Sequence, residues 1–241
     1  MCDLNDEQSD IASNKVNIRE ITVESRDGLN MTVQFYYPKA KSKYPTVLLV
    51  PMLGKCSSSW NNFIPVLLDN GFAICSTCLR GHGRSVRMKD GREIFHQNMK
   101  EQDWKKIPED LTDLIDFVSK DKFVEPERLG IVGASIGANV GIITASRYPN
   151  KIKTLIALSP GINYKGLETL EPAKNLKIPV LIAAGSKDDY AYKSSNQLNE
   201  VVKTTHNLLI YKNSEHGSDL LNKSEDLQRK IVDWLDEYLK K

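Results

Sequence analysis

Two kinds of hydrophobic pattern divide the chain. From Ile18 to Glu24 apolar and polar residues alternate, Asp27-Gly28 supplies a turn, and alternation resumes from Asn30 to Tyr37 until Pro38. Alternation at period two on either side of an Asp-Gly turn predicts an antiparallel hairpin. From Thr46 onward the pattern changes to short apolar runs at Val47 to Val50, Phe72 to Cys78, Leu129 to Val132, Ile152 to Leu158, Val180 to Ala184 and Asn207 to Tyr211. Runs of this length predict strands covered on both faces. Helical spacing falls between them, clearest at Leu111, Leu114, Ile115, Phe117 and Val118, and again at Leu227, Ile231, Trp234, Leu235, Tyr238 and Leu239. A leading hairpin followed by alternating strands and helices implies an α/β fold with a mostly parallel central sheet and helices on both faces. In such a fold the ligand site lies beyond the carboxyl ends of the strands.

Two connections bear on that site. Gly81 to Pro108 has no clear periodicity and follows the second strand of the parallel set, so it is expected to border the site. The connection Pro160 to Pro179 is short, and any lid inserted there must be small.

Composition narrows the picture. With 40% hydrophobic residues in 241, residues 18–241 are expected to form one domain. Residues 1–17 are polar and acidic without an aromatic residue, and are expected to be a flexible tail. Thirty-three Lys and Arg against thirty-one Asp and Glu leave a net charge of +2, too balanced for a nucleic-acid partner. No apolar run approaches the ~18–20 residues that span a bilayer, so no transmembrane segment is expected. Cys2 in its polar leader has two readings: an ordinary cytoplasmic start, or the lipid-anchored start of a lipoprotein whose signal peptide has been removed. Cys75-Ser-Thr-Cys78 has the spacing of a metal or redox pair, but residues three apart on a strand face opposite ways. Both are expected to be packing residues.

The chemistry concentrates in three loops. Gly133-Ala134-Ser135-Ile136-Gly137 fits G-x-S-x-G at the junction of a strand and a helical run, the context of a nucleophile elbow. Glycines two residues either side let a strained turn cross itself closely, and the helix start aims its amides at developing negative charge. The alternative is a serine that only caps the helix. Of the four histidines, His216 lies between the last strand and the last helix, and so at the carboxyl end of the sheet, where it can act as general base. His206 belongs at the opposite end, while His82 and His96 precede Ser135, out of the Ser, Asp, His order of this architecture. Asp188 and Asp189 both follow the Val180 run, and either can orient the imidazole while the other caps a helix. For the oxyanion hole, Ile136 supplies one amide, and the second comes from Leu53 or Met52, with Leu53 preferred, since Pro51 has no N–H.

From about Asn17 to Lys240 the chain resembles the α/β-hydrolase superfamily, in particular its small serine esterases and dienelactone-hydrolase-like members. The resemblance puts the nucleophile elbow at Gly133 to Gly137, the oxyanion loop at Pro51 to Gly54, the Gly-x-x-Asp acid loop at Gly185 to Asp188 and the late histidine at His216. Arg80-Gly-His-Gly-Arg-Ser85 and Leu158-Ser-Pro-Gly161 also match, as loop-shaping segments. Two departures matter. Pro51-Met52 stands where the superfamily often has His-Gly, and serine stands at 135 where dienelactone hydrolases use cysteine. The second implies a carboxylesterase acting on small or short-chain acyl esters through an acyl-enzyme, with no metal or cofactor required. The competing expectations are a thioesterase, amidase or lactonase with the same triad, and a binding protein that retains the fold without turnover. Oligomeric state is not legible from the chain.

Overall fold

The computed structural model describes residues 16–39, 43–224 and 226–241. Most of the expected tail, Cys2 included, lies outside the described residues. Val16 and Asn17, counted with the tail above, pair with Pro38 and Tyr37 at the start of the first strand.

Strands β1 (Val16–Glu24) and β2 (Asn30–Pro38) form the hairpin, turned by Gly28 at φ +87°. The parallel part follows as β3 (Tyr44–Val50), α1 (Ile64–Asp69), β4 (Ala73–Thr77), α2 (Glu101–Trp104), α3 (Ile107–Val118), β5 (Val124–Ala134), α4 (Ile136–Arg147) and β6 (Ile152–Leu158). A two-stranded hairpin of β7 (Asn163–Tyr164) and β8 (Leu167–Glu168) and the short α5 (Leu170–Lys174) occupy the next connection. Then come β9 (Val180–Gly185), α6 (Asp189–Val201), β10 (His206–Tyr211), α7 (Leu220–Lys223) and α8 (Leu227–Leu239). The eight-stranded sheet has the order β1-β2-β4-β3-β5-β6-β9-β10. The strands from β4 across to β10 run parallel, and β2 joins β4 antiparallel.

Successive residues of the central strands enter opposite layers, which is why their sequences read as unbroken apolar runs. Leu48, Ile131 and Leu155 pack with Leu111, Leu114 and Val140 of α3 and α4 on one face. Their neighbours Leu49, Val132 and Ile156 pack with Ile64, Leu67, Ile231 and Leu235 of α1 and α8 on the other. Each such side chain removed from water contributes about 1.5–3 kcal/mol, so a polar substitution on either face of these strands is costly. The strand read from Leu129 begins at Val124 because Val124 pairs with Tyr44, but Glu125 to Arg128 bulge out before pairing resumes at Leu129 and Thr46. Pro126 in that stretch has no N–H for the ladder.

The topology fixes where loops meet. The chain leaves β3 toward β4 on one side and returns to β5 on the other, so the carboxyl ends of β3 and β5 form a switch point where opposed loops open a crevice. Val50 and Gly133 are register partners there. The loop of residues 51–54 and the turn of residues 133–137 therefore leave adjacent strands at the same level.

Candidate active site

Ser135 joins β5 to α4 with φ 52° and ψ −118°, a conformation that a non-glycine residue adopts only under constraint. Both flanking glycines are required by contact. A Cβ at Gly133 would lie 2.4 Å from Gly137 O, and one at Gly137 would lie 2.2 Å from Val50 O and 2.6 Å from Pro51 O. The second contact presses the start of α4 against the loop of residues 51–54 after β3. The Ser135 backbone is held on both sides: its N–H donates to Leu158 O at 2.8 Å, and its carbonyl accepts from Ala138 and Asn139 N–H. Its side chain makes no capping bond to the helix. Instead Ser135 Oγ lies 2.7 Å from His216 Nε2.

His216 stands on the loop after β10, and its Nδ1 lies 2.5 Å from Asp188 Oδ2. A carboxylate at Nδ1 fixes the proton there and leaves Nε2 as the acceptor facing the serine hydroxyl. The Asp188 side chain is 15% exposed and that of His216 44%, so the acid is sheltered while the imidazole edges solvent. Asp188 occupies the N-cap position of α6 yet makes no capping bond, its carboxylate being turned to the imidazole. Asp189 is exposed in the first turn of α6. The other histidines are elsewhere: His206 opens β10 at the amino end, while His82 and His96 stack on each other in the loop after β4.

Ser159, beyond β6, was not singled out by its chemistry in the sequence. It too has positive φ, 48°, and its Oγ accepts the Gly217 N–H at 2.9 Å, pinning the residue beside His216. Its one signal was its place in the Leu158-Ser-Pro-Gly161 segment. Asn139 of α4 ties down the same region, its Oδ1 accepting from Gly161 N–H at 2.8 Å and its Nδ2 donating to Leu167 O at 3.2 Å. The β7–β8 hairpin is thereby held down as a small flap, and Tyr190 Oη donates to Asn163 O at 2.6 Å from the α6 side.

Ile136 opens α4, so its N–H has no acceptor within the helix. Leu53 lies in the turn that Lys55 N–H closes onto Met52 O. The Met52 side chain is buried under the histidine loop, where its Sδ sits 2.8 Å from a Cβ built on Gly217.

The Arg80 loop is anchored by charge. Arg80, 1% exposed, donates from Nε and Nη2 to Asp110 at 2.8 and 2.6 Å, and from Nη2 to Asp27 Oδ1 at 2.7 Å. Burial pushes the Asp110 carboxyl up to about 6 despite Arg80. Asp27 is desolvated too, but its hydrogen bonds from Arg80, Ser25 and Lys106 outweigh that and hold it well below the usual range. Expecting both Cys75 and Cys78 to be packing residues holds for Cys75, which is buried and free, and fails for Cys78, which forms a disulfide with Cys56. Parallel pairing of β3 with β4 brings the loops after them together, a tertiary adjacency that cysteine spacing does not encode. The sulfurs lie against Gly83, where a Cβ would be 2.4 and 2.9 Å from them. Beside this disulfide and Gly54 opens a cavity of about 480 Å³, walled on its far side by residues from Gly81 to Gln97. Among the described residues no group of three or more His, Cys, Asp or Glu is placed to hold a metal ion, and no helix is long and apolar enough to cross a membrane.

A parallel sheet with an elbow serine, a late histidine and this strand order is that of an α/β hydrolase, and the chain is a hydrolase by family. It belongs to the dienelactone hydrolase family, whose model matches residues 31–236. Solved structures agree on the fold. A dienelactone hydrolase from Anabaena variabilis ATCC 29413 superposes with a TM-score of 0.72 at 14% identity, covering 93% of this chain and 99% of that one. The Pyrococcus furiosus esterase Pf2001 gives 0.71 at 15%, covering 92% and 93%. A protein assigned as a dipeptidyl aminopeptidase IV from Bacteroides ovatus ATCC 8483 gives 0.77 at 18%. That match covers 95% of this chain, which spans only 36% of the larger protein. No curated protein matches the sequence.

Proposed function

We propose that the protein is a serine carboxylesterase for small or short-chain acyl esters, with residues 18–241 acting as one domain. His216 takes the hydroxyl proton of Ser135 as Oγ attacks the ester carbonyl, and Asp188 stabilises the imidazolium. The Ile136 and Leu53 amides receive the oxyanion. Collapse of the tetrahedral adduct expels the alcohol, protonated by His216, and leaves an acyl-enzyme. His216 then activates water to release the acid and restore Ser135. The observation that carries this reading is the unbroken hydrogen-bond chain from Ser135 Oγ through both nitrogens of His216 to Asp188. Serine rather than cysteine at the elbow favours esters over the lactone chemistry of the family's namesakes. Of the two locations left open by the sequence, the Cys56–Cys78 disulfide favours an oxidising one, since cytosolic thiol buffers keep such pairs reduced.

Fluorophosphonate labelling followed by peptide mapping tests the reading without knowledge of the substrate. An adduct on Ser135 that disappears in His216→Ala is expected, together with turnover of aryl acetates. Folded protein that neither labels nor turns over aryl acetates would refute the proposal.

A further inference from the structure

The cavity of about 480 Å³ lies within the ~300–1,000 Å³ range of small-molecule sites, and none of Ser135, Asp188, His216, Ile136 or Leu53 lines it. A ligand held there would sit apart from the reacting atoms. The cavity's charge is one-sided: Lys55 and Arg84 line it, and no Asp or Glu does. Lys55 forms no ion pair among the described residues. Arg84 gives one nitrogen, Nη2, to Glu20 in a pair whose side chains are 50% and 43% exposed, an arrangement of little energetic weight. Its Nε and Nη1 bond no described residue.

Two buried side chains add donors to the same space. Gln34 and Ser57, 7% and 5% exposed, both line the cavity. Gln34 Oε1 accepts from Tyr36 Oη at 2.7 Å, so the free part of the amide is its nitrogen, with two protons to donate. That nitrogen and the Ser57 hydroxyl bond no described residue, yet neither is among the unpaired polar atoms sealed from solvent. They therefore open onto the cavity, whereas His82 Nε2 on the far wall is sealed. Donors left this way are costly until an acceptor reaches them. A neutral polyol would leave the two cations without a countercharge, and a carboxylate brings only two oxygens in one plane. The donors converge from β2, from the loop after β3 and from the loop after β4, which suits a tetrahedral group. A phosphomonoester carries about −1.5 to −2 charge and three strong acceptor oxygens. Val86 and Phe95, the latter 44% exposed, are placed to cover the organic body attached to it.

We propose that this cavity is a binding site for the phosphate group of a small phosphorylated molecule, held by Lys55 and Arg84 together with the Gln34 amide and the Ser57 hydroxyl. The test is calorimetric titration of the full chain with glycerol 3-phosphate, inorganic phosphate and glycerol. Saturable binding of glycerol 3-phosphate is expected, and none of glycerol. Weaker binding of inorganic phosphate would mark a phosphorylated organic molecule as the ligand, and equal binding would mark free phosphate. Lys55→Ala and Arg84→Ala alter exposed side chains and leave the core untouched, so both variants should fold. Each should weaken binding by about tenfold or more, the value of one charge-assisted hydrogen bond. Gln34→Leu should weaken it too, and the two exposed variants keep the test decisive if that protein does not fold. Ser135→Ala should bind as wild type does, because no triad residue lines the cavity. The absence of saturable binding by either phosphate overturns the proposal. So does binding that survives in the Lys55→Ala, Arg84→Ala double variant, or that is lost in Ser135→Ala.

Discussion

Ser159 offers the sharpest test of how the site is held. It is 2% exposed, its φ of 48° lies in the left-handed region, and its Oγ is the acceptor for Gly217 N–H. Ser159→Ala leaves that buried N–H unpaired and keeps the strain. The unpaired amide costs about 1–3 kcal/mol. At ~2–4 °C per kcal/mol for a chain of this size, Tm should fall by roughly 2–12 °C. Ser159→Gly makes the same deletion but relieves about 1–2 kcal/mol of left-handed strain, against ~0.5–1 kcal/mol of added chain entropy. The glycine variant should therefore be no less stable than the alanine one, yet equally impaired. Freed at Gly217, the His216 loop can drift, and a displacement of order 1 Å costs up to ~100-fold in rate. The assay is the second-order rate of fluorophosphonate labelling, measured by intact mass across pH, beside a thermal melt. A Ser159→Gly protein that labels at the wild-type rate refutes the argument, because strain relief would then be the only effect of the substitution.

Other perturbations read other contacts. Gly137→Ala should slow labelling about 100-fold, since its Cβ must move roughly 1 Å off Val50 O and so part the elbow from the oxyanion loop; a near-wild-type rate would contradict this. Asp188→Asn should depress turnover by about 10⁴-fold while Asp189→Asn, on the exposed turn of α6, leaves it within a factor of two to three; the reverse ranking would reassign the acid. His82 is held neutral to about pH 4, while the unfolded chain binds that proton near 6.5. Stability present above about 6.5 is therefore lost as pH falls toward 4, by up to about 3 kcal/mol, and denaturant melts at pH 7 and 4.5 should show a smaller loss in His82→Phe. Reducing Cys56–Cys78, or replacing Cys56 by Ser, should cost about 3 kcal/mol for a loop of 22 residues, read as a lower melting temperature with reductant present.

The architecture was readable because burial on two faces leaves a simple trace. Leu48 and Leu49 enter opposite layers, and the same holds at Ile131 with Val132 and at Leu155 with Ile156, so unbroken apolar runs marked the central strands to within a few residues. The elbow was readable from its motif: Gly133 answers to a crossing within five residues, where its Cβ would meet Gly137 O, whereas Gly137 answers to Val50 O on the neighbouring strand. The choice between Asp188 and Asp189 rested on the Gly-x-x-Asp spacing that the resemblance implies, and the geometry favours the residue whose carboxylate reaches Nδ1. Other contacts made across the sheet left no such trace. The Cys56–Cys78 bond, the Ser159 hold on Gly217 and the paired imidazoles of His82 and His96 each join segments whose proximity depends on strand order or on how an aperiodic loop folds back. Strand order is a property of the whole topology, and no window along the chain carries it.

The disulfide also alters the protein's connectivity. Together with the backbone from Cys56 to Cys78 it closes a covalent ring that contains all of α1 and β4. A protease that cuts the Asn70-Gly71 turn inside that ring opens the backbone without dividing the molecule. The two pieces remain one species until a reductant lets them part.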